Sequence, residues 1–491
     1  MKSFKNILIV LMGVFTLSSC SDWLDIVPEG TVPTDDIDFT DASQMYAPVS
    51  GVYASTRQRL AQWESWPLLN LRGDEVTKGG GSETDQGEYL YLEEFNYDGI
   101  KGFWAMNSTW VAMYNIIYTT YNNQILIDRF REHLTSDDQF ELANQYEAEI
   151  TFHRALAYYF ISNMWGDVPI IDPEDLNYGF PYRRSVESVR DFIHEELDFC
   201  IEHLPEVQSV NEGAVTKYSA MALKAKVALM EGEFNLVNTL TDRIIAEAGI
   251  SLYEDYYNLF KIPGKLAKES LYELQFTDFG TGDGQEVYGG AWFQHQGPNI
   301  NPAPITGWGF MLMRPEFINF MNDRGEDVRY DVAILESGVT TPAGDDIALW
   351  EPTYMDIKAH YNGKAYTPSD QMTDGRNQYG SNNNIRILRY ADVLLMNAEA
   401  KLRVGGDAAT PLNEVRERAG LDPVSSPTID DILDERRAEL SVEWGNRFFD
   451  LVRTGKAAGT LPGFEAGRHE YLPIPLTQED LNPNLLEPVQ D

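Results

Sequence analysis

The sequence predicts a mainly α-helical fold, in which a scaffold of tetratricopeptide-like helical repeats carries an irregular, loop-rich lobe. Two observations predict the scaffold: long stretches with apolar residues at helical spacing, and two copies of a helix–glycine turn–helix pattern. A third predicts the lobe. Residues 275–309 are rich in Gly, Asn, Pro and aromatic residues, and residues 339–384 in Gly, Asp, Asn, Thr and Tyr. Loops this long are uncommon in globular chains and are often functional.

The first helices follow a polar, acidic segment over residues 20–40. Apolar residues recur at helical spacing over residues 41–63 and again over residues 104–134. A further helix is expected to begin at Asp137, because Ser136 directly before it can cap the free amides of a first turn. These helices form the first part of the scaffold.

Two stretches farther along the chain have the same design. One runs over residues 218–248 and turns at Gly232, and the other runs over residues 390–418 and turns at Gly405. Alanines in the first helix of each pair allow close packing, and a helix pair with a Gly turn over about 34 residues is typical of a tetratricopeptide-like repeat. The alternative is two unrelated helical hairpins. We interpret residues 41–491 as a single domain, because the helices of each block need the others for burial.

The first twenty residues indicate an exported lipoprotein. A basic start is followed by an apolar run over residues 7–17, which is too short to span a bilayer, and then by Leu17-Ser18-Ser19-Cys20. This arrangement resembles a lipoprotein signal over residues 1–19, with cleavage before Cys20 and acylation of its thiol. The alternative is an ordinary secretory signal with a chance cysteine. Cys200 is then the remaining cysteine and is expected to be a buried apolar residue.

Charge and composition narrow the class of ligand. The 77 acidic residues against 38 basic ones give a formal net charge of −39, which repels phosphate backbones and argues against a nucleic-acid partner. The aromatic content of 12% is high. Exposed rings suit a sugar-binding protein, because the C–H faces of sugars pack on flat aromatic faces while the hydroxyls remain free to hydrogen-bond.

Known catalytic motifs are missing from the sequence. There is no G-x-S-x-G nucleophile elbow and no phosphate-binding loop, and His194-Glu195 is followed by Asp198 where a zinc-protease helix needs histidine. We therefore expect no catalytic residue, no cofactor and no metal. A pair of glycosidase carboxylates cannot be judged from sequence, since it is defined by the distance between the two groups.

The C-terminal quarter carries an ordered set of motifs. They are Arg389-Tyr390-Ala391-Asp392 leading to Ala398-Glu399-Ala400, then Glu435-Arg436, Glu439-Leu440, Arg447 with Asp450-Leu451, and Pro473-Ile474-Pro475. Together with the lipoprotein signal, this set resembles the SusD/RagB family along the whole chain. One departure is Trp444, at a position where the family usually has no aromatic residue.

The resemblance implies a function as well as a fold. Members are helical lipoproteins on the outer face of the outer membrane, where they resemble a lid on a TonB-dependent transporter of the SusC type. They bind oligosaccharides without cutting them, and some relatives bind peptides. We therefore expect a glycan-binding lipoprotein, with a peptide-binding protein as the first alternative. A glycoside hydrolase and a purely structural surface protein are the remaining alternatives.

Three regions are candidates for ligand contact. The residues are Trp63, Trp66, Arg72 and Asp74 in the first, Tyr288, Trp292, Phe293 and Trp308 in the second, and Tyr379 and Asn382 in the third. The charged side chains of Arg72 and Asp74 can hydrogen-bond to sugar hydroxyls. Trp292 follows two glycines and an alanine, so it either stacks on sugar or, with Phe293, anchors the loop to the core. The first interpretation predicts that Trp292→Ala weakens sugar binding and leaves folding intact.

The charges of the C-terminal motifs have a structural interpretation. Glu435, Glu439, Glu443 and Arg447 recur every four residues, as on one face of a helix. We expect them to tie the last helices to the scaffold, and we expect Glu399 to meet an arginine on a neighbouring helix.

Overall fold

The computed structural model describes residues 37–172, 180–208, 211–276, 291–372 and 381–491. Helices dominate these ranges, which confirms the mainly α-helical fold. The helices of the first half are α1 Tyr46–Leu60, α2 Ser65–Asn70, α3 Tyr89–Glu93, α4 Tyr97–Ile100, α5 Trp104–Arg131, α6 Asp137–Trp165, α7 Val186–His203, α8 Lys217–Glu231 and α9 Phe234–Glu247. Those of the second half are α10 Tyr256–Leu259, α11 Trp292–Gln296, α12 Pro315–Asp323, α13 Asp327–Ala333, α14 Tyr390–Val404, α15 Ala409–Arg418, α16 Ile429–Glu439, α17 Asn446–Arg453, α18 Ala457–Thr460 and α19 Leu476–Leu481.

Short antiparallel strand pairs connect these helices. The strands are β1 Val76–Gly79, β2 Ser270–Leu274, β3 Phe310–Met313, β4 Ile334–Glu336, β5 His360–Asn362 and β6 Ile385–Arg389. They pair as β1 with β3, β2 with β6 and β4 with β5. The β1–β3 and β2–β6 pairs join segments that are distant in sequence, whereas β4 and β5 both lie within the loop-rich lobe.

The helical scaffold is a succession of packed neighbours. Helix α5 packs on α6, α6 on α7, α7 on α8 and α8 on α9, and α9 then packs directly on α14. The two predicted helix pairs, α8–α9 and α14–α15, are thus adjacent in space although about 150 residues apart in sequence. One continuous apolar core runs through these helices.

Local signals set the helix ends where the sequence predicts them. The Ser136 hydroxyl accepts a hydrogen bond from the Gln139 amide at the start of α6. Gly232 after α8 and Gly405 after α14 both have left-handed backbone conformations, with φ of 77° and 85°. Glycine adopts this conformation without a steric penalty, so it ends each helix and starts the turn.

The loop-rich lobe has a small apolar core of its own. Its members come from the segment around α11 and β3, from β4 and β5, and from the loops between them: Phe293, Ile305, Leu312, Leu335, Ile347, Ala359, Tyr361, Tyr366 and Met372. Strand β1, near the start of the scaffold, pairs with β3 of this lobe. The described parts of the predicted excursions are therefore packed structure, fastened to the helices through that pair.

One helical prediction at the C-terminus is wrong. The charges from Glu435 to Arg447 do not share a helix, because α16 ends at Glu439 and α17 begins at Asn446. Between them Val442 and Gly445 have φ of 49° and 74°, which a continuous helix does not allow. Their predicted structural role holds, since each charge pairs with a distant segment. Glu399 meets Arg453 of α17 at 2.6 Å, as expected.

Cys200 is fully buried on α7, as the sequence predicts, and its thiol donates to the Ala148 carbonyl of α6 at 3.3 Å. Among the helices of the described ranges, none combines the length and apolar character needed to cross a membrane. Residues 1–36, and with them Cys20, lie outside the described residues, as do Tyr288 and Tyr379.

A buried carboxyl on α6 predicts a pH dependence of stability. Glu149 is 2% exposed, and it accepts a hydrogen bond from the Tyr53 hydroxyl at 2.9 Å. Burial raises the pKa of Glu149 from its ordinary value of 4.5 to about 7. The folded state therefore holds a proton that the unfolded state releases. The stabilisation that this proton gives the folded state is fully present below pH 4.5 and is lost as the pH rises through about 7.

We expect Glu149→Gln to raise the free energy of unfolding at pH 8 by about 2 kcal/mol, and to change it little at pH 4.5. Denaturant titrations at the two pH values measure the difference. Burial also raises the pKa of Glu75 to about 7. The pH dependence of stability that Glu75 contributes should therefore remain in the Glu149→Gln variant and serves as a comparison. An equal effect of Glu149→Gln at both pH values would contradict the assigned protonation.

Candidate functional site

Three tryptophans meet at the N-terminal end of α5 and form what we call the tryptophan cluster. Trp63 lies in the turn between α1 and α2, Trp104 is the first residue of α5, and Trp308 lies just before β3. The Trp63 ring centroid is 5.0 Å from that of Trp104 and 5.5 Å from that of Trp308, and both contacts are edge-to-face. The Trp104 side chain is 44% exposed, so the cluster reaches the surface.

A buried aromatic layer supports the cluster. His295 of α11 stacks on Trp63 at a centroid distance of 5.4 Å and on Phe310 of β3 at 4.9 Å. Burial lowers the pKa of His295 to about 3, so its ring is neutral at physiological pH. The Trp308 amide donates to the Gln294 carbonyl at 2.7 Å, which fixes the position of the third ring relative to α11. The exposed rings therefore rest on a rigid, uncharged base.

The position of Trp104 follows from the geometry of α5. Thirteen residues separate it from Ile117, and at 3.6 residues per turn this places the two on nearly opposite sides of the helix. Ile117 is buried in the core. Phe103, the residue before the helix, is also buried and packs against Tyr89 at 5.5 Å. The start of α5 is thus anchored, and Trp104 is left facing outward.

A pocket of about 450 Å³ opens beside Trp104. Its walls come from the end of α1, the following turn and the first half of α5: Arg59, Gln62, Glu64, Ser65, Trp104, Asn107, Ser108, Thr109, Val111, Ala112 and Met113. Small-molecule sites commonly have volumes of about 300 to 1,000 Å³ and combine apolar walls with a few polar groups. This pocket has that size and that mixture.

Several polar side chains line the pocket. The buried Ser65 and Thr109 hydroxyls form no hydrogen bond with any described residue. Asn107 uses its side-chain oxygen to accept from the Gln478 amide at 2.8 Å, so its own amide group faces no protein acceptor in the described ranges. Arg59 is exposed and makes no ion pair with a described residue. Such groups suit a ligand that is rich in hydroxyls.

The pocket offers little for acid–base chemistry. Among the described residues that line the pocket, Glu64 is the single carboxyl. Glycoside hydrolysis ordinarily uses two carboxyl groups on either side of the scissile bond. The arrangement is therefore suited to holding a ligand through stacking and hydrogen bonds.

Three of the predicted ligand contacts are core residues. Trp66 is fully buried, and Trp292 and Phe293 are 6% and 4% exposed. The Trp66 ring lies between Trp292, at 5.3 Å, and Trp444, at 4.2 Å. A buried ring offers no free face to a ligand, so the prediction that these three residues stack on sugar is wrong. Of the two interpretations of Trp292 and Phe293, anchoring to the core is correct.

The expected effect of changing Trp292 is therefore reversed. Trp292→Phe should lower the free energy of unfolding by about 1–2 kcal/mol, because the smaller ring leaves a gap against Trp66. It should leave ligand affinity unchanged. Denaturant titration measures the first quantity and calorimetric titration the second. A variant of parental stability with weakened binding would restore the original prediction.

The two charged candidates are also engaged within the protein. Arg72 is fully buried, donates to the carbonyls of Leu68 and Glu470 at 3.0 and 3.3 Å, and lies over the Phe448 ring. Asp74 forms a two-pronged ion pair with Arg447 at 2.8 and 3.0 Å. The predicted role of Arg72 in bonding sugar hydroxyls is wrong, because its side chain is fully buried. Asp74 is 21% exposed and does not line the pocket, and its role as a ligand contact stays a prediction.

The remaining candidates divide into two groups. Trp63 and Trp308 belong to the tryptophan cluster, and their role as ligand contacts stays a prediction. Asn382 lies beside Lys265, whose ammonium group donates to its carbonyl at 2.8 Å, and it is not among the residues that line the pocket. The structure thus brings Trp63 of the first candidate region into contact with Trp308 of the second. Asn382 of the third region does not line the pocket.

Trp104 is a site residue that the sequence analysis does not identify. The helical spacing of α5 indicates that Trp104 is exposed, because the residues on the buried face of this helix lie about half a turn around it from Trp104. An aromatic residue on the polar side of an amphipathic helix is an exposed aromatic residue. The rest of the pocket depends on how α1 and α5 meet, which spacing within one helix does not reveal.

Comparison with known proteins places these features in a family. A family model described as the SusD family matches residues 268–471, and a second, described as starch-binding and associating with the outer membrane, matches residues 84–229. A SusD-like protein of Bacteroides ovatus is 27% identical over 91% of this chain and 82% of its own length. SusD-like protein P2 of Formosa agariphila is 26% identical over 99% of both chains.

Solved structures agree with the sequence comparisons. A laminarin-binding SusD-like protein superposes with a TM-score of 0.78 at 27% identity, over 90% of this chain and 97% of its own. The two family models together span both the helical scaffold and the C-terminal motifs. The chain belongs to the SusD/RagB family.

Proposed function

We propose that this chain binds a glycan at the tryptophan cluster and its adjoining pocket, and that it holds the glycan without cutting it. The observation that carries the proposal is the exposed Trp104 ring, set edge-to-face against Trp63 beside a pocket of about 450 Å³. Flat rings bury the C–H faces of a sugar, and the hydroxyls and amides of the pocket wall bond to its hydroxyl groups.

Two relatives support glucans as the ligand class. One matching family model is described as starch-binding, and the structural relative with 27% identity binds laminarin. Both ligands are polymers of glucose. The bulk negative charge of the chain, −39, disfavours an acidic polysaccharide.

The absence of catalysis is part of the proposal. Glu64 is the single carboxyl among the described residues that line the pocket, whereas glycoside hydrolysis ordinarily uses two. In addition, the described residues contain no group of three His, Cys, Asp or Glu side chains placed to hold a metal ion. The first observation favours a binding protein over a glycoside hydrolase.

The cellular setting is proposed from the sequence and the family. Acyl chains on Cys20 anchor the mature chain to the outer membrane, residues 20–40 act as a tether, and the helical domain faces the exterior. From there it passes its ligand to a TonB-dependent transporter of the SusC type. Partition of the expressed protein into a detergent phase, together with the mass of its N-terminal peptide, tests the acyl anchor.

Calorimetric titration tests the binding function. Laminari-oligosaccharides, malto-oligosaccharides, xylogluco-oligosaccharides and a set of mixed peptides are titrated separately into the purified chain. We expect saturable binding of at least one sugar series and no binding of peptide. Binding of peptides alone would replace the glycan proposal with a peptide-uptake function. Shorter sugars appearing in the chromatogram after incubation would replace it with hydrolysis.

A further inference from the structure

One face of α5 extends the tryptophan cluster along the surface. Trp104, Asn107, Val111, Asn115 and Tyr118 follow one another at steps of three or four residues, so they form a single stripe. All of them are partly or fully exposed. The buried face of the same helix is formed by Trp110, Met113 and Ile117.

A second pocket, of about 220 Å³, lies at the far end of this stripe. One wall carries Val111, Asn115 and Tyr118 of α5, and the facing wall carries Leu481 and Leu485 of the C-terminal segment. Leu481 is 63% exposed, and the amide side chains of Gln478 and Asn482 lie on the same wall. The pocket is therefore an open groove that combines apolar surface with two amide groups.

The two pockets are adjacent. Val111 lines both of them. Asn107 of the first pocket accepts a hydrogen bond from Gln478 of the second at 2.8 Å. Because this bond ties α19 to α5 at the junction, the two pockets are held in a fixed relation to each other.

Fixed geometry also characterises the second pocket. The Tyr114 hydroxyl donates to the Pro169 carbonyl at 2.9 Å, and the Asn482 amide donates to the Pro181 carbonyl at 2.8 Å. The Asn115 side chain makes no hydrogen bond to a described residue. A pre-formed groove with apolar surface and one free amide has the same chemistry as the first pocket, namely ring and alkyl surface beside a hydrogen-bonding group.

The length of the stripe indicates the size of the ligand. Tyr118 lies fourteen residues after Trp104, and at 1.5 Å per residue their backbone positions are about 21 Å apart along the helix axis. This span exceeds one or two sugar rings. A ligand that reaches both ends must be an extended oligosaccharide.

We propose that the second pocket is a second subsite for the same glycan, so that the protein selects extended chains over short ones. This inference rests on the proposed function at the tryptophan cluster. The chain crosses Val111 from the first pocket, and a distal sugar packs on Tyr118 and Leu481.

Chain length and mutation together test the second subsite. Laminaribiose and laminarihexaose, or maltose and maltohexaose, are titrated into the full chain and into Tyr118→Ala and Leu481→Ala. We expect each variant to weaken hexasaccharide binding about tenfold and to leave disaccharide binding unchanged. Because Leu481 is 63% exposed, its truncation should leave folding intact. Leu481→Ala therefore tests the second subsite even if Tyr118→Ala folds poorly.

Two controls separate this inference from the proposed function. Trp104→Ala should weaken the binding of short and long chains alike, whereas Phe140→Ala, which removes a 41% exposed ring outside both pockets, should weaken neither. Unchanged hexasaccharide affinity in both subsite variants, with binding still lost in Trp104→Ala, would overturn the second subsite alone. Equal affinity of the parent for both chain lengths would overturn it as well. Failure of the parent to bind either series, or unchanged binding in Trp104→Ala, would overturn the site of the proposed function.

Discussion

Replacing Arg389 by methionine should lower the free energy of unfolding by about 3–5 kcal/mol, the largest effect on stability that we expect from one side chain of this fold. Arg389 ends β6 and directly precedes α14, and its side chain is 1% exposed. Denaturant titration with two independent probes, such as circular dichroism and tryptophan fluorescence, measures the change.

The size of the effect follows from the partners of Arg389. Its guanidinium donates to Glu269 at 2.7 Å, to Glu439 at 2.8 Å and to Glu443 at 2.7 and 3.0 Å. These three carboxylates come from the segment before β2, the end of α16 and the turn before α17. One side chain thus joins a strand pair of the middle of the chain to its last helices.

Removal of the cation leaves buried anions with fewer partners. Burial opposes the ionisation of Glu439, but Arg418, Arg329 and Arg389 outweigh it and hold the pKa of this carboxyl well below its usual range. Without Arg389, one oxygen of Glu443 and one of Glu269 lose their charged hydrogen-bond donor. An uncompensated charge in the protein interior costs several kcal/mol, whereas the methionine itself fits the space left by the alkyl part of the arginine.

A matched control separates burial from charge. Arg243→Met breaks an ion pair with Glu247 whose side chains are 43% and 44% exposed, and it should change stability by less than about 0.5 kcal/mol. Arg389→Lys retains the positive charge but loses the planar guanidinium group. Its loss of stability should therefore lie between those of Arg389→Met and Arg243→Met. Parental stability of Arg389→Met would mean that the remaining charges rearrange and that this network does not hold the C-terminal helices.

The helical scaffold was predictable because its signals are local. The cap at Ser136 and the left-handed glycines at Gly232 and Gly405 act within one turn of the chain, so the sequence alone locates them. The break between α16 and α17 was not predictable. Its cause is Val442 at a φ of 49°, a strained conformation whose amide donates to Glu75, 367 residues away in sequence.

The candidate site shows the same division. The sequence identifies the right residue types, and Trp63 and Trp308 do lie in the tryptophan cluster. It cannot distinguish them from Trp66 and Trp292, since all four are tryptophans next to turns or glycines. Trp66 and Trp292 differ in that they stack on each other in the core, where Trp444 of the C-terminal motif region covers Trp66. Burial of a ring by a distant segment is a property of the folded chain, and Trp444 is also the position that departs from the usual family pattern.

Trp104→Ala should weaken glycan binding about thirtyfold or more, the largest functional effect that we expect. Its ring is exposed and oriented by Trp63 and Phe103, so a sugar meets it with little loss of conformational freedom. Alanine removes the stacking surface and widens the mouth of the pocket. Calorimetric titration with the oligosaccharide series that the parent binds gives the change in dissociation constant.

Stability and a second substitution decide whether stacking is the cause. A ring that is 44% exposed contributes little to the core, so Trp104→Ala should unfold close to the parent, and loss of binding then reflects the site itself. Trp104→Phe keeps a flat but smaller face and should retain part of the affinity, whereas Trp104→Leu has similar apolar bulk without that face and should resemble alanine. If leucine were as good as phenylalanine, the contact would be apolar burial without stacking. If all three variants bound like the parent, the ligand would lie elsewhere, and the tryptophan cluster would be a surface feature of the fold.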